Sequence, residues 1–252
     1  SSGQGMIVGD ILLSTKGIKL VNSCTKFIHR RLFPPSCVLC GATGHTGLDL
    51  CPGCEADLAR IDNPCPSCGM PLQESDHSLC GTCLQTPPPF QLTISPFYYE
   101  PPLIKLVTDF KFHHQLKLSR VFAGMLARHL QERGLPEVII PVPLHPRRLR
   151  ERGYNQSLEI ARLLGQQLAI PVDTRLCQRT RYTAPQTGLD AKQRKRNIRN
   201  AFGLTDQCEY KHVAILDDVI TTGNTVTELA KLLGKHGAEN IEVWSMARAV
   251  PD

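Results

Sequence analysis

Aromatic residues make up only 6% of this 252-residue sequence, and there is a single tryptophan. No apolar run reaches the roughly 20 residues that a membrane-spanning helix needs. The short apolar stretch at 7–13 has no basic segment before it and no small-residue cleavage site after it, so it does not read as a secretory signal. Neither the dinucleotide fingerprint G-x-G-x-x-G nor a Walker A loop with its lysine is present. No Ser/His/Asp or Cys/His spacing offers a dedicated nucleophile. These absences exclude a membrane span, dinucleotide chemistry, P-loop nucleotide hydrolysis and triad hydrolysis. They leave a soluble, intracellular, cytoplasmic protein as the expectation. Ser1–Gly5 reads as an expression scar, with Met6 the native start.

Hydrophobic residues (41%) and charged residues (21%) are present in ordinary globular amounts, and the length suffices for two domains. The net charge of +6 is unevenly placed. Residues 141–200 hold 13 Lys/Arg against 4 Asp/Glu, whereas residues 1–96 hold 6 against 7. The excess marks an anionic partner for one region. Single-stranded DNA is one candidate, although Tyr154 and Tyr182, with Phe202 just beyond, are the only aromatics there, which makes stacking platforms sparse.

Cysteine is abundant. Eight of the 11 form four C-x-x-C pairs, Cys37/Cys40, Cys51/Cys54, Cys65/Cys68 and Cys80/Cys83. Each pair presents two thiolates on a tight knuckle, and two knuckles make a tetrahedral Zn²⁺ site. The expected arrangement is two structural zinc ribbons in sequence, 37/40/51/54 and 65/68/80/83. A cross-braced pairing of alternate knuckles is the rival. A disulfide framework and an iron–sulfur cluster are weaker alternatives. Two metal sites would replace the core that so short a segment cannot build. Cys24, Cys177 and Cys208 have no partner pattern and read as packed thiols, and His45 and His77 as solvated loop residues.

Pro87-Pro88-Pro89 marks a stiff hinge and a domain boundary. Beyond it, apolar patterning predicts strands at Leu92–Tyr99, Val138–Val142, Val213–Ile220 and Ile241–Ala247. Helices are predicted after Pro101-Pro102, around Val121–Leu130, at Asn155–Leu168 and over Val226–Leu233, the last stopped by Gly237. Strands alternating with helices imply an α/β fold, a parallel sheet covered on both faces.

The most informative stretch runs Val213-Ala214-Ile215-Leu216-Asp217-Asp218-Val219-Ile220-Thr221-Thr222-Gly223-Asn224-Thr225. A buried strand delivers two carboxylates at its C-terminal end, where open α/β sheets bind ligands. Small residues follow at a helix start, where backbone N–H groups can wrap an anion. Paired acids beside an anion nest suit a ligand with both a phosphate and a polyol. This order resembles the signature of type I phosphoribosyltransferases, which bind phosphoribosyl pyrophosphate (PRPP). The resemblance implies that Asp217 and Asp218 hold the ribose hydroxyls and that Thr221, Thr222, Gly223, Asn224 and Thr225 cradle the 5′-phosphate.

Two basic stretches accompany the acid pair. A basic loop, Pro141-Val142-Pro143-Leu144-His145-Pro146-Arg147-Arg148, leads through Arg150, Arg152 and Gly153 to a helix start at Tyr154-Asn155-Gln156. Gln178–Phe202 carries Arg179 and Arg181 and lacks apolar periodicity, so it reads as a mobile loop or hairpin. Lys105 and Lys111, on the first helix beyond the hinge, read as solvated.

These parts together resemble the ComF family of competence proteins, also called GntX-like. The likeness spans Phe33 to the end. It rests on the cysteine block, Pro141-Val142-Pro143, Arg152-Gly153-Tyr154-Asn155-Gln156, Arg179-Thr180-Arg181, Gln186–Asn197 and the Asp217-Asp218 loop. It implies a lead-in at 1–32, a double zinc ribbon at 33–86 and a phosphoribosyltransferase-like domain at 90–252. It further implies natural transformation as the setting, at the cytoplasmic side of DNA uptake, with a helicase-like ATPase and other competence proteins as partners. In the enzyme reading, PRPP binds with Mg²⁺. Arg147, Arg148 and Arg152 stabilise departing pyrophosphate, Arg179 or Arg181 closes from above, and the acceptor is open. The alternatives are a PRPP sensor or single-stranded-DNA binder working through residues 141–200, and an adaptor that docks its partner on the ribbons.

Overall fold

The computed structural model describes residues 35–45, 47–73, 79–131, 133–182, 198 and 200–250. Its helices are α1 (Pro52–Ala56), α2 (Gly81–Gln85), α3 (Leu103–Phe112), α4 (Leu118–Arg128), α5 (Pro146–Arg152), α6 (Gln156–Leu168) and α7 (Asn224–Lys235). The strands are β1 (Leu92–Ile94), β2 (Phe97–Tyr98), β3 (Val138–Pro141), β4 (Cys177–Arg179), β5 (Phe202–Leu204), β6 (His212–Leu216), β7 (Val219–Ile220), β8 (Asn240–Trp244) and β9 (Ala247–Arg248).

A four-stranded parallel sheet has the order β1-β8-β6-β3, and a three-stranded parallel sheet has the order β2-β9-β7. The second sheet continues the same three segments in the same order. The predicted strands Leu92–Tyr99, Val213–Ile220 and Ile241–Ala247 are therefore each broken in two at one level. The break is stitched across strands: Asp217 N–H donates to Trp244 O (2.9 Å), Met246 N–H to Asp218 O (3.1 Å), and the Ser95 and Ser245 hydroxyls meet at 2.8 Å.

Period-two alternation divides the apolar strand residues between two cores. Ala214 and Leu216 of β6, Ile139 of β3 and Trp244 of β8 face the side covered by α3, α4 and α6. Val213 and Ile215, Val138 and Ile140, and Ile241 and Val243 face the side covered by α7 and the antiparallel β4–β5 pair. Asn155 caps α6 by accepting from Leu158 N–H, and Ala169 in left-handed conformation ends it. The cysteine-rich region packs directly on the first core through Cys37, Leu48, Leu50 and Leu58. Buried Glu55 accepts two bonds from Arg128 of α4, at 2.8 and 3.1 Å, and fastens it there.

The expected basic loop after β3 is instead the short helix α5. Its start is set by His145, whose ring accepts from Arg147 N–H, with Pro146 at the first helical position. Gly153 at φ +80° ends it. No residue of α5 is buried, so no apolar stripe announced it. Only the strand ends of the expected 178–202 loop lie within the described residues. Lys192, Arg194, Lys195, Arg196 and Arg199, like His77 and Cys24, lie outside them. Among the described residues no helix is long and apolar enough to cross a membrane.

Candidate functional site

The break between β6 and β7 places Asp217 and Asp218 at the carboxyl edge of the sheet. Asp217 Oδ1 accepts from Ser157 Oγ at 3.1 Å and from Asp218 N–H at 2.9 Å. Asp218 Oδ1 accepts from Val219 N–H at 2.8 Å, and its Oδ2 pairs with Lys111 Nζ at 2.7 Å. Burial, and then the neighbouring Asp218 carboxylate, push Asp217 up to about 6. Lys111, the Asp218 amide and the Ser157 hydroxyl pull the other way without prevailing. Burial works against the Lys111 ammonium, but Asp218 and Asp217 outweigh it and hold its pKa above the usual lysine range.

Lys111 is therefore not a solvated lysine. The sequence did carry a signal: Leu103, Val107 and Lys111 form an i, i+4 stripe whose first two members are core residues. Lys105 keeps its surface role and pairs with Asp109 at 2.5 Å.

Thr221–Thr225 follow β7 as a turn into α7. Gly223, at φ +76°, is the N-cap, and this left-handed backbone is what glycine supplies there. Asp217 and residues 219–226, which include the first turn of α7 with its unpaired helical N–H groups, line a small concavity. Thr221 and Thr222 are exposed at its rim.

The fold brings three of the five arginines singled out in the sequence to the acid pair. Arg152 is half-buried. Burial and nearby Arg148 lower its pKa, while Asp218 opposes them. Arg179 responds in the same way, to burial, to Arg148 and, in opposition, to Asp217. Arg148 is thus near enough to act on both of these guanidiniums, Asp218 on Arg152 and Asp217 on Arg179. Arg152 donates to Gln156 Oε1 at 2.8 Å and lies over the Phe112 ring at 5.3 Å. Arg147 points elsewhere: it is exposed, bonds Glu151 at 2.9 Å and stacks on Tyr182 at 4.6 Å. Arg181 is exposed beyond the end of β4. Phe112 went unnoticed because it lies outside the basic segment. It is 62% exposed, so the basic face has an aromatic that the count over 141–200 omitted.

The cysteines cluster in sequence, Cys37/Cys40/Cys51/Cys54 and Cys65/Cys68/Cys80/Cys83, with the four sulfurs of each set within 4.8 Å of one another. Tetrahedral zinc with bonds of about 2.3 Å requires sulfurs roughly 3.8 Å apart. Cys40 and Cys51 are 3.6 Å apart, and Cys68 and Cys80 3.5 Å. One thiol of each set is drawn towards its thiolate, while Cys40, Cys54, Cys68 and Cys83 are raised. Burial raises the Cys37 thiol, but bonds from the Cys51, Cys40 and Leu39 backbone outweigh it and bring it down to about 6. Cys65 falls to about 7 for the same reasons. The donor set fits zinc in both places. His45 is no ligand and faces Glu55 at 3.2 Å. Cys177 and Cys208 are buried thiols, and burial pushes Cys177 up to about 12.

Comparison with known proteins agrees with this geometry. A double zinc ribbon domain matches residues 28–84, and a phosphoribosyl transferase domain matches residues 116–249. The chain is 39% identical over 226 residues to the DNA utilization protein YhgH of Shigella flexneri, spanning 86% of this chain and 98% of that one. It is 38% identical over 224 residues to competence protein F of Haemophilus influenzae, spanning 84% and 96%. Competence protein ComFC of Streptococcus pneumoniae matches at 24% identity over 241 residues. With two Cys₄ clusters joined to a parallel sheet that ends in an acid pair and a glycine-capped turn, the chain belongs to the family of competence protein F and the DNA utilization proteins.

Proposed function

We propose that this chain binds PRPP with Mg²⁺ at the edge of the sheet and transfers its phosphoribosyl group to an acceptor during the cytoplasmic handling of incoming DNA. One observation supports the reading: an acid pair with Asp218 buried leads directly into a glycine-capped loop and lies within electrostatic reach of Arg152 and Arg179. Asp217 and Asp218 take the ribose hydroxyls. The N–H groups and hydroxyls of Thr221–Thr225 take the 5′-phosphate. Arg148 and Arg152, with Arg179 opposite, meet the pyrophosphate. Asp217 would hold Mg²⁺, which would supply charge neutralisation for the leaving group. The unrelieved charge of the acid pair, visible in the raised Asp217 pKa, suits such a cation. The bond from C1 to the pyrophosphate oxygen breaks with its electron pair leaving on pyrophosphate, and the acceptor's lone pair forms the new bond to C1. Fixed cations at the departing oxygens lower this barrier more than water can, because they need no reorganisation.

The test is calorimetry with PRPP and Mg²⁺ on the wild type and on Asp217→Ala/Asp218→Ala. Micromolar binding that the double variant loses is expected; equal binding by both would overturn the reading. The exposed Phe112 beside Arg152 favours a second activity of the same face, single-stranded DNA binding. That activity should weaken steeply between 50 and about 300 mM salt, and Phe112→Ala should reduce it further. Salt-independent binding would refute this electrostatic version.

A further inference from the structure

Arg248, the last residue of β9, is 7% exposed and serves two sites at once. Its Nη1 donates to the carbonyls of Ile220 (3.1 Å), Thr221 and Ala249 (3.0 Å). Ile220 and Thr221 are the two residues through which β7 enters the anion loop. Its Nε donates to the carbonyl of Cys68 at 3.1 Å, inside the Cys65/Cys68 knuckle. The same knuckle is fixed to β1 by Thr93, whose N–H donates to Pro66 O (2.8 Å) and whose Oγ1 donates to Ser67 O (2.7 Å). Gly69 packs so closely there that a Cβ would meet Thr93 Cγ2 at 2.9 Å. The Cys65/Cys68/Cys80/Cys83 cluster and the anion loop therefore share one buried cation.

We infer that Arg248 is a positioning residue through which metal occupancy of the Cys65/Cys68/Cys80/Cys83 site sets the anion loop for its phosphate. The inference rests on the PRPP reading of that loop.

The Arg248 bridge supplies the coupling, and charge supports it. Burial lowers the Arg248 pKa and Cys68, Cys80 and Cys83 oppose it, and four thiolates around a divalent ion would carry a net charge of about −2. The loaded cluster is thus the counter-charge that a buried guanidinium requires. When the metal leaves, the knuckle that carries the Cys68 carbonyl is no longer fixed around it, and the Arg248 bridge from that carbonyl to Ile220 and Thr221 loosens with it. The Cys37/Cys40/Cys51/Cys54 cluster makes no bond to the loop among the described residues, so it provides an internal control.

Coupling between two binding events is reciprocal, so the loop can be read from the metal. The full chain loaded with ¹¹³Cd should give two cadmium resonances, the second assigned by its loss in Cys80→Ser. Saturating PRPP with Mg²⁺ should shift the second resonance only, and should slow chelator extraction from that site by about 5-fold or more. Arg248→Met should abolish both responses. Arg248→Lys keeps the charge but cannot span both sets of carbonyls, and should fold, hold two metals and still lose the coupling. If PRPP binds but leaves both sites unchanged, or changes both equally, the coupling is wrong while the PRPP reading stands. If the wild type binds no PRPP, the reading of the loop falls and the coupling falls with it.

Discussion

Replacing Asp217 by asparagine should stabilise the ligand-free protein at neutral pH. Asn Oδ1 can keep both acceptor bonds, to the Ser157 hydroxyl and the Asp218 amide. What disappears is one of two adjacent negative charges. Asp217 moves from an ordinary 3.8 to about 6, roughly 2 units, and each unit is worth about 1.36 kcal/mol. Keeping Asp217 ionised in the fold therefore costs up to about 3 kcal/mol. Solvent at its partly exposed edge brings the expected gain to about 1–3 kcal/mol. The sign follows from proton binding: the folded carboxyl holds its proton more tightly than the unfolded one, so stability is greatest below the unfolded value near 4 and falls as pH rises through 6. The variant's advantage should be full at pH 7.5, about half as large at pH 5.0, and close to zero below pH 4. Thermal unfolding of zinc-loaded protein checks this, with about 2–4 °C expected per kcal/mol for a chain of this size. An asparagine variant no more stable than the wild type at pH 7.5, or an advantage that does not change with pH, would refute the electrostatic account. On the proposed reading the same variant should lose PRPP affinity, because the charge it removes is the charge that PRPP and Mg²⁺ would relieve.

Lys111→Met leaves the buried Asp218 carboxylate without its cation and should cost about 2–4 kcal/mol. Adding Asp218→Asn should recover much of that, and a coupling below about 0.5 kcal/mol in this double-mutant cycle would show that the 2.7 Å pair does not matter. Two zinc ions per chain are expected by elemental analysis, one for each Cys₄ set. Cys51→Ser should lose one of them and lower the melting temperature, since Leu48 and Leu50 of that region lie in the main core. Gly165→Ala, normally favourable inside a helix, should destabilise by about 1–3 kcal/mol. Its Cβ would sit 2.6 Å from the Ile170 carbonyl oxygen and 2.8 Å from Val172 Cγ2. An unchanged denaturation midpoint would contradict that close approach.

Features governed by local chemistry could be read from the sequence, and those set by neighbouring strands could not. The C-x-x-C spacing carried the eight donors, because each knuckle folds on its own backbone, but it left sequential and cross-braced pairing open, which the fold settles as sequential. The apolar run before Asp217 carried β6, the acid pair and the start of α7. Its alternation between two cores was hidden, since a strand buried on both faces reads as continuously apolar. The break at Asp217 was equally hidden. It depends on bonds to Trp244 and Met246 from another strand, and nothing in the local run distinguishes Leu216-Asp217-Asp218-Val219 from an unbroken strand.

Helix α5 and Lys111 were misread for opposite reasons. Helix α5 has no apolar stripe, so periodicity could not find it, although Pro146 and Gly153 punctuate it at both ends. Lys111 lies on an apolar stripe, where a charge looks like the point at which the buried face gives way to solvent. A lysine one turn beyond two core positions is better read as a demand for a buried anion. Its long apolar stem can follow the core face while the ammonium reaches past it. At this carboxyl edge the anion is Asp218. Taken as a pair in the sequence, an unexplained acid at a strand end and an unexplained lysine at the end of a core stripe would have located each other, since neither is stable alone in a buried place.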